Sequence, residues 1–352
     1  MHSISSGASL RLEGAAREPA EALTPSPVAT PRGLGARHRR LVALAIGSSV
    51  SALLLYLTVR KLDVASVTGA LRAADPVRVA LAVAVISCMY LVQALRWRWI
   101  ARREARLSTW RFLQYVVGGV ALNNAVPGRP GDLLRAHWLS RGANAPRANA
   151  LATVVVERSA DLIILVAVLA VTLPVVGPQA AWLRSLAVAT FVLAATSSLA
   201  VILAYRFRKT LLDRLGQRLV RIRLEGAKLV ETMRRSCDPL GLLGIVVATC
   251  VSWSMWAVGA WLVAGSVGIS LSPLQLAFLT AVVNLGVAIP SSPGFVGTYQ
   301  WLCVSALAVF AIPRSDAFAF SVISHAAWFV PSSLGGIFLL AAKSVRDVRE
   351  RV

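Results

Sequence analysis

The sequence contains few of the residue patterns that build metal, nucleotide or nucleophile sites. Its four cysteines form no Cys-x-x-Cys pair and its four histidines form no His-Glu-x-x-His motif, so a metalloenzyme is a poor match. No glycine-rich phosphate loop with a lysine occurs, which argues against ATP-driven transport by this chain alone. We therefore expect no metal or other cofactor, and we expect the cysteines to be buried free thiols.

Charge is also scarce. Only 15% of the 352 residues are Asp, Glu, Lys or Arg, against about a quarter in a soluble domain, and the stretch 239–313 contains none of them. Hydrophobic residues make up 57% of the chain and form long runs, which is typical of transmembrane helices. The sequence therefore predicts an all-α polytopic membrane protein.

The charge that is present is basic: 37 Lys and Arg stand against 16 Asp and Glu, for a net charge of +21. Most basic residues lie between hydrophobic runs, as the positive-inside rule describes for cytoplasmic loops. The run Arg96–Arg106 is one such loop, with Trp97 and Trp99 predicted at the headgroup level. This distribution favours attraction to anionic lipids over nucleic-acid binding. We expect a multi-pass protein of the plasma (inner) membrane with both termini in the cytoplasm.

The hydrophobic runs predict about six full crossings and two re-entrant hairpins in a transmembrane domain, 37–343. The predicted crossings are 41–59, 79–95, 154–176, 185–205, 239–264 and 317–342. Residues 1–36 predict a disordered cytoplasmic tail, and 344–352 predict a basic cytoplasmic tail. Segment 206–235 carries ten basic residues. It predicts either an amphipathic helix on the inner leaflet or a solvated helix that packs on the bundle.

Two segments rich in proline and glycine interrupt apolar runs at the predicted depth of the membrane. The first, 127–131, reads Pro-Gly-Arg-Pro-Gly and the second, 290–294, reads Pro-Ser-Ser-Pro-Gly. Both residue types end helices, because proline lacks an amide donor and glycine loses much conformational entropy. Broken backbone at this depth needs protein or a water-filled cavity around it. The residues predicted to break the helices are Pro127, Pro130, Gly131, Pro290, Pro293, Gly294 and Gly297.

The two breaks share the spacing Pro-x-x-Pro-Gly, a preceding apolar segment and an upstream asparagine, Asn124 or Asn284. In the predicted topology they enter the membrane from opposite sides. Inverted repeats whose broken helices meet near the midplane are typical of transporters. We interpret the pair as an inverted repeat, and the alternative is a coincidence between two breaks of a common kind.

Charged residues gather near the first break. Arg129 and Arg135 suit an anionic headgroup, because a guanidinium binds phosphate through two parallel hydrogen bonds. A half-helix that starts after the break would add partial positive charge at its N-terminus. The alternative is that both arginines are ordinary positive-inside residues at the interface.

A second group of charges lies on the next crossing, where Glu157 and Asp161 share a helix face and Arg158 precedes Asp161 by three residues. These carboxylates either hold Arg129, Arg135 or a cationic part of the cargo, or they simply lock the bundle. Carboxylates inside the membrane could also carry protons. The residues predicted to bind substrate are Asn123, Asn124, Arg129, Asp132, Arg135, Glu157, Arg158, Asp161, Asn284, Ser292 and Tyr299. His325 is expected to be a helix-packing residue rather than a proton relay.

Three motifs in this order resemble a known family. They are N-x-x-x-P-x-R-x-G-[DE]-x-x-R over 123–135, E-R-x-x-D over 157–161 and P-x-S-P-G-x-x-G over 290–297. Together they resemble the lysylphosphatidylglycerol synthase transmembrane-domain family, also called flippase-like or UPF0104-type integral membrane proteins. The resemblance covers about residues 40–340.

The resemblance implies a role in lipid transport. In bifunctional members a soluble C-terminal synthase domain aminoacylates phosphatidylglycerol, and the membrane domain translocates the product. No such domain is recognised in the 352 residues, so we expect no enzyme activity. The expected function is a flippase-like transporter that binds an anionic or zwitterionic phospholipid, or a polyprenyl-phosphate-linked lipid, by its headgroup in a cavity between the two hairpins.

One alternative is a non-transporting membrane subunit that supports a separate lipid-linked glycosyl- or aminoacyltransferase. The candidate partners are therefore membrane lipids, a partner transferase and a second copy of this chain. A membrane transferase in its own right is a third reading, and no sequence feature supports it directly.

Overall fold

The computed structural model describes residues 34–60, 62–126, 129–176, 220–236, 238–288 and 292–349, and every regular element in these ranges is a helix. The helices are α1 (Leu34–Val59), α2 (Val64–Arg72), α3 (Pro76–Ile100), α4 (Thr109–Ala125), α5 (Pro130–Gly142), α6 (Arg147–Val176), α7 (Val220–Ser236), α8 (Pro239–Ser266), α9 (Pro273–Val287), α10 (Thr298–Ala308) and α11 (Arg314–Arg349). The contacts given below are all among residues from Val42 onward, which form one compact unit. The chain is an all-α polytopic membrane protein.

Five of the six predicted crossings correspond to helices, namely α1, α3, α6, α8 and α11. In the described ranges three helices are long and apolar enough to span a bilayer: α3, α8 and the Arg314–Leu339 part of α11. The 30-residue α6 is also long enough, but it carries the Glu157–Asp161 charges. The predicted crossing 185–205 and the segment 206–219 lie outside the described residues.

Three of the apolar helices begin with the same local signal. Asp75, Asp238 and Ser272 accept hydrogen bonds from first-turn amides of α3, α8 and α9, and each is followed by a proline at the first helical position. A polar cap satisfies amides that have no intrahelical partner, and proline has none to satisfy. The starts of these helices therefore follow from local sequence.

The connection between the predicted crossings 41–59 and 79–95 contains a short helix, α2, which the hydrophobic runs did not indicate. Asp63 caps it by accepting from the amides of Ala65 and Ser66, and the helix packs against α11. This helix has nine residues, of which Val67 is buried. It therefore has no long apolar run from which it could be predicted.

The first break joins α4 and α5 into a hairpin. A Cβ on Gly131 would stand 1.9 Å from the carbonyl oxygen of Gly119, so the two helices meet backbone to backbone. Asn123 secures the turn, because its Oδ1 accepts the Gly131 amide at 2.7 Å. Arg129 directly precedes α5 in the left-handed region, at φ 54° and ψ 47°. Pro127 lies outside the described residues, and Pro130 is the first residue of α5.

The second break joins α9 and α10 through a 3-10 turn, Pro293–Phe295. Gly294 and Gly297 have positive φ angles of 68° and 86°, which glycine adopts without steric cost. The Gly297 amide donates to Oε1 of Gln300 at 2.7 Å and so starts α10. Pro290 lies outside the described residues.

The four hairpin helices have 17, 13, 15 and 11 residues, fewer than the roughly 20 that a full crossing needs. This length agrees with re-entrant hairpins. The inverted relation between the hairpins stays a prediction.

Small residues let the long helices approach closely. A Cβ on Gly259 of α8 would stand 2.7 Å from Ile86 of α3, and one on Gly336 of α11 would stand 2.2 Å from Ala121 of α4. Close backbone approach through small residues is the usual basis of helix association in membranes.

The cysteine prediction is wrong for two residues. Cys303 is buried, but Cys88 and Cys250 are exposed on the helix surface. An apolar membrane helix can face lipid as well as protein, so hydrophobicity alone does not place a side chain inside. Cys237 lies outside the described residues.

The described part of the basic segment, α7, packs against α6. The Thr232 hydroxyl lies 3.5 Å from Oε1 of Glu104, and the Ser236 hydroxyl donates to the Ile100 carbonyl at 3.1 Å. For 220–236 this favours the helix packed on the bundle over the helix on the inner leaflet.

Gly131→Ala tests the hairpin. The added methyl group overlaps the Gly119 carbonyl, so we expect a loss of about 1–3 kcal/mol in the free energy of unfolding, the usual range for overpacking. Unfolding of the purified chain in detergent measures it. Gly69→Ala in α2, where nothing lies within 4 Å of the new Cβ, is the control, and equal stability of the two variants would contradict the backbone contact.

Candidate functional site

A cluster of six charged side chains joins three helices in the interior. The ion cluster consists of Arg96 on α3, Asp132 and Arg135 on α5, and Glu157, Arg158 and Asp161 on α6. It contains three arginines and three carboxylates, so its formal charges cancel.

Glu157 is at the centre of the ion cluster and is 0% exposed. Its Oε1 accepts from Arg96 at 2.9 Å and from Arg158 at 3.2 Å. Its Oε2 accepts from Arg135 at 2.5 Å. A buried carboxylate is tolerated when charged donors satisfy it in this way.

Arg96 connects α3 to both neighbouring helices. Its two terminal nitrogens bind both oxygens of Asp161, at 2.6 and 3.2 Å, and Nη1 also lies 3.0 Å from Thr249 Oγ1 on α8. Asp132 is held more loosely, 3.7 Å from Arg135 and 3.9 Å from Arg158.

Trp97 packs against the ion cluster. The guanidinium carbon of Arg135 lies 4.2 Å from the centre of the Trp97 ring, and the indole N–H donates to Thr153 at 3.0 Å. Trp97 is 0% exposed, so it does not present its ring to lipid headgroups, and its depth in the membrane stays a prediction. It faces neighbouring helices, whereas Trp99, two residues on, is 37% exposed.

Sequence reasoning missed Arg96, because it was assigned to the basic loop 96–106. A signal existed: Gln93 lies three residues earlier, so α3 carries two polar residues on one face of an otherwise apolar helix. Counting Lys and Arg residues for the positive-inside rule does not distinguish an arginine at the membrane surface from one that is buried between helices.

A cavity of about 150 Å³ lies beside the ion cluster, with residues from both hairpins in its wall. It has room for several water molecules. Seven of the predicted residues line it: Asn123, Asn124, Arg129, Asp132, Arg158, Asn284 and Tyr299. Arg135, Glu157, Asp161 and Ser292 do not. Gln93 and five aromatic residues, which the sequence analysis did not identify, complete the polar and ring surface: Tyr90, Trp253, Trp256, Phe295 and Trp328.

Arg129 differs from the other arginines of the site. In the described part of the chain it forms no ion pair, and its Nη2 donates to the Val287 carbonyl at 3.4 Å. Val287 is the last residue of α9, so this contact joins the first break to the second. The prediction that Glu157 and Asp161 hold Arg135 is confirmed for Glu157, but neither carboxylate pairs with Arg129.

Among the described residues, one non-glycine residue in the left-handed region lies at each break, Arg129 at φ 54° and Phe295 at φ 59°, and two more, Asn144 and Ala311, follow α5 and α10. Arg129 and Phe295 line the cavity. Such a conformation costs of order 1–3 kcal/mol, and such residues gather at functional sites. The strained residues of the two breaks therefore point to the same cavity.

The asparagines use part of their hydrogen-bonding capacity to hold the fold. Asn124 donates to Ser332 and Ser333 on α11, at 3.0 and 2.9 Å. Asn284 donates to the Thr280 carbonyl at 2.8 Å. They are wall residues with a structural role as well.

The first amides of α5 are bonded within the hairpin, and the partial positive charge expected at this N-terminus stays a prediction. Pro130 has no amide, the Gly131 amide is bonded to Asn123, and the Asp132 amide lies 3.3 Å from the Arg129 carbonyl. These amides are therefore not free to donate to an anion.

The second break contributes aromatic rings to the cavity wall, whereas its hydroxyl groups are hydrogen-bonded within the protein. Tyr299 is bonded through its hydroxyl to Ser324 at 2.7 Å, and His325 stacks on Tyr299 with ring centres 4.8 Å apart. Nδ1 of His325 lies 2.9 Å from Nε2 of Gln300, which agrees with a packing histidine. Ser292 donates its hydroxyl to the Val296 carbonyl, and its amide donates to Ser51, so it anchors the turn to α1.

Comparison with known proteins agrees with this architecture. The family model described as the lysylphosphatidylglycerol synthase TM region matches residues 41–336. A curated relative, Glycosyltransferase AglD from Haloferax volcanii, is 25% identical over 344 residues, which cover 86% of this chain and 54% of that protein. The chain therefore spans about half the length of that relative.

Arg96→Gln tests the ion cluster. Removing one guanidinium leaves buried carboxylate charge without its partner, so we expect a loss of about 3–5 kcal/mol in the free energy of unfolding. Arg98→Gln is the matched control, because Arg98 is exposed on the same helix. Denaturant unfolding in detergent measures both, and a small, equal effect of the two substitutions would show that Arg96 is not a buried ion-pair residue.

Proposed function

The chain belongs to the lysylphosphatidylglycerol synthase TM-region family, and on that premise we propose that it is a flippase-like lipid transporter of the plasma membrane. The cavity between the two hairpins binds the headgroup of an anionic or zwitterionic phospholipid, or of a polyprenyl-phosphate-linked lipid, while the tails remain in the bilayer. Both termini face the cytoplasm. The proposal assigns the chain no catalytic step.

The observation that carries the proposal is the guanidinium of Arg129. It lies on the cavity wall at the first break and, in the described ranges, has a backbone carbonyl at 3.4 Å instead of a carboxylate partner. An arginine binds phosphate through two charge-assisted hydrogen bonds. Arg129 is therefore available to a headgroup at the loss of one long contact.

Arg135 is less suited to the headgroup, although both arginines were candidates. It is 1% exposed and binds the buried Glu157. Turning it toward a ligand would remove a partner from a buried carboxylate, which costs several kcal/mol. We assign Arg135 to the support of the hairpin and Arg129 to the ligand.

A flippase also has to let the headgroup leave the cavity. The contact of Arg129 with Val287 joins the two hairpins at their breaks, and a phosphate that takes this donor would loosen the junction. Broken helices that face each other across a binding site have this role in transporters built from inverted repeats.

A second candidate function is supported by the relative that is named a glycosyltransferase, to about half of which this chain aligns. In this reading the chain is a membrane module that presents a lipid-linked intermediate to a separate transferase. Co-purification from native membranes distinguishes the two, since a stoichiometric transferase partner supports the module and a lone active chain supports the transporter.

Arg129→Ala is the test of the transporter. We expect headgroup movement of labelled phospholipids or polyprenyl phosphates in proteoliposomes to fall by about tenfold or more, because a hydrogen bond to a charged group contributes about 1.5–3 kcal/mol. Arg111→Ala, which removes an exposed arginine at the start of the same hairpin, should keep the native rate. The proposal fails if no lipid moves faster than in empty vesicles, or if Arg129→Ala moves lipid as fast as the native chain.

A further inference from the structure

The charges around the cavity do not balance. The six residues of the ion cluster cancel one another, and Arg129 adds a seventh charge on the cavity wall without a carboxylate partner among the described residues. Four arginines and three carboxylates leave one positive charge. In a site at membrane depth a net charge is costly, so the ligand that restores neutrality is favoured.

From this count we propose that the ligand is a phosphodiester with a single negative charge, an inference that rests on the proposed function and specifies its cargo. A phosphodiester is a monoanion at neutral pH and would bring the occupied site to neutrality. A phosphomonoester carries about −1.5 to −2 charges at pH 7, so it would leave an excess of negative charge. A pyrophosphate would leave a larger excess.

A zwitterionic headgroup is disfavoured for a related reason. Its phosphate would pair with Arg129, but its ammonium group would need a carboxylate of its own. Asp132, the one carboxylate in the cavity wall as described, is already shared between Arg135 and Arg158. The aromatic residues of the wall offer ring faces to a cation, but they carry no compensating charge.

A second, independent feature agrees with an oxygen-rich ligand. Trp253 lines the cavity, and its indole N–H is buried without a hydrogen-bond partner in the structure. A buried donor without an acceptor costs about 1–3 kcal/mol, and an acceptor oxygen in the cavity would satisfy it. Arg129 and Trp253 lie in the wall of the same cavity, on the first break and on α8.

The cavity volume agrees with a single phosphate group. A volume of about 150 Å³ has room for a phosphate and its nearest substituents. The phosphodiester comes from one of two sources, a glycerophospholipid such as phosphatidylglycerol or a polyprenyl phosphoryl sugar. The charge argument is the same for both.

The test measures binding separately from movement. The purified full-length chain is titrated in detergent with dihexanoyl phosphatidylglycerol, dihexanoyl phosphatidylcholine and dihexanoyl phosphatidic acid, and with farnesyl phosphoryl hexose and farnesyl phosphate. Thermal stabilisation gives each Kd. We expect at least one of the two monoanionic phosphodiesters to bind at least about tenfold more tightly than its matched phosphomonoester, and the member that does so identifies the source.

Two substitutions change the charge count in opposite directions. Asp132→Asn raises the net charge by one, so the binding preference should shift toward phosphatidic acid or farnesyl phosphate by about tenfold. Arg129→Gln lowers it by one and should remove the preference for phosphatidylglycerol over phosphatidylcholine. Asp63→Asn, at the exposed cap of α2, is the control and should leave all ratios unchanged, since asparagine also caps helices.

The outcomes separate this inference from the proposed function. If lipids move in proteoliposomes but phosphomonoesters bind as tightly as phosphodiesters, or if both substitutions leave the ratios unchanged, the phosphodiester assignment is overturned and the transporter stands. If the native chain binds and moves none of the lipids, both are overturned. The ratios of Kd measured for the native chain test the phosphodiester assignment even if Asp132→Asn does not fold.

Discussion

The burial of Glu157 is the constraint on which the rest of the structure depends. A carboxylate without water in the interior of a membrane protein needs charged donors, and three arginines supply them. Arg96 and Arg135 come from α3 and α5, 61 and 22 residues from Glu157 in the chain, and Arg158 is its neighbour on α6. The pairing therefore brings a full crossing, one half of the first hairpin and a second crossing to one point, and it orients the hairpin beside the cavity.

Because the formal charges of the ion cluster cancel, the proposed ligand binding rests on Arg129, which lies outside it. Arg129 is held at the first break in a left-handed conformation, and Phe295 is held in the same conformation at the second. The two residues face one cavity, and the Arg129–Val287 contact joins the breaks. Two strained residues thus lie in the wall of the cavity, and the ion cluster lies beside it.

The transporter and the transferase module share this cavity and differ in what happens after binding. A transporter has to release the headgroup on the other side of the membrane, whereas a module only has to present it. Family membership supports a lipid ligand in both cases, and the relative named a glycosyltransferase has further length to which this chain does not align. The charge count concerns the binding step alone, so it applies to either reading.

The sequence by itself determined the helical class, most of the crossings, both breaks and the three family motifs, because hydrophobic runs, caps, prolines and glycines act over a few residues. Tertiary structure alone decided which charges meet. Arg96 enters the interior while Arg98 stays exposed, and Arg135 is held by Glu157 while Arg129 remains free of a carboxylate. Those pairings depend on how separate helices pack against one another, and local sequence patterns carry no information about that packing.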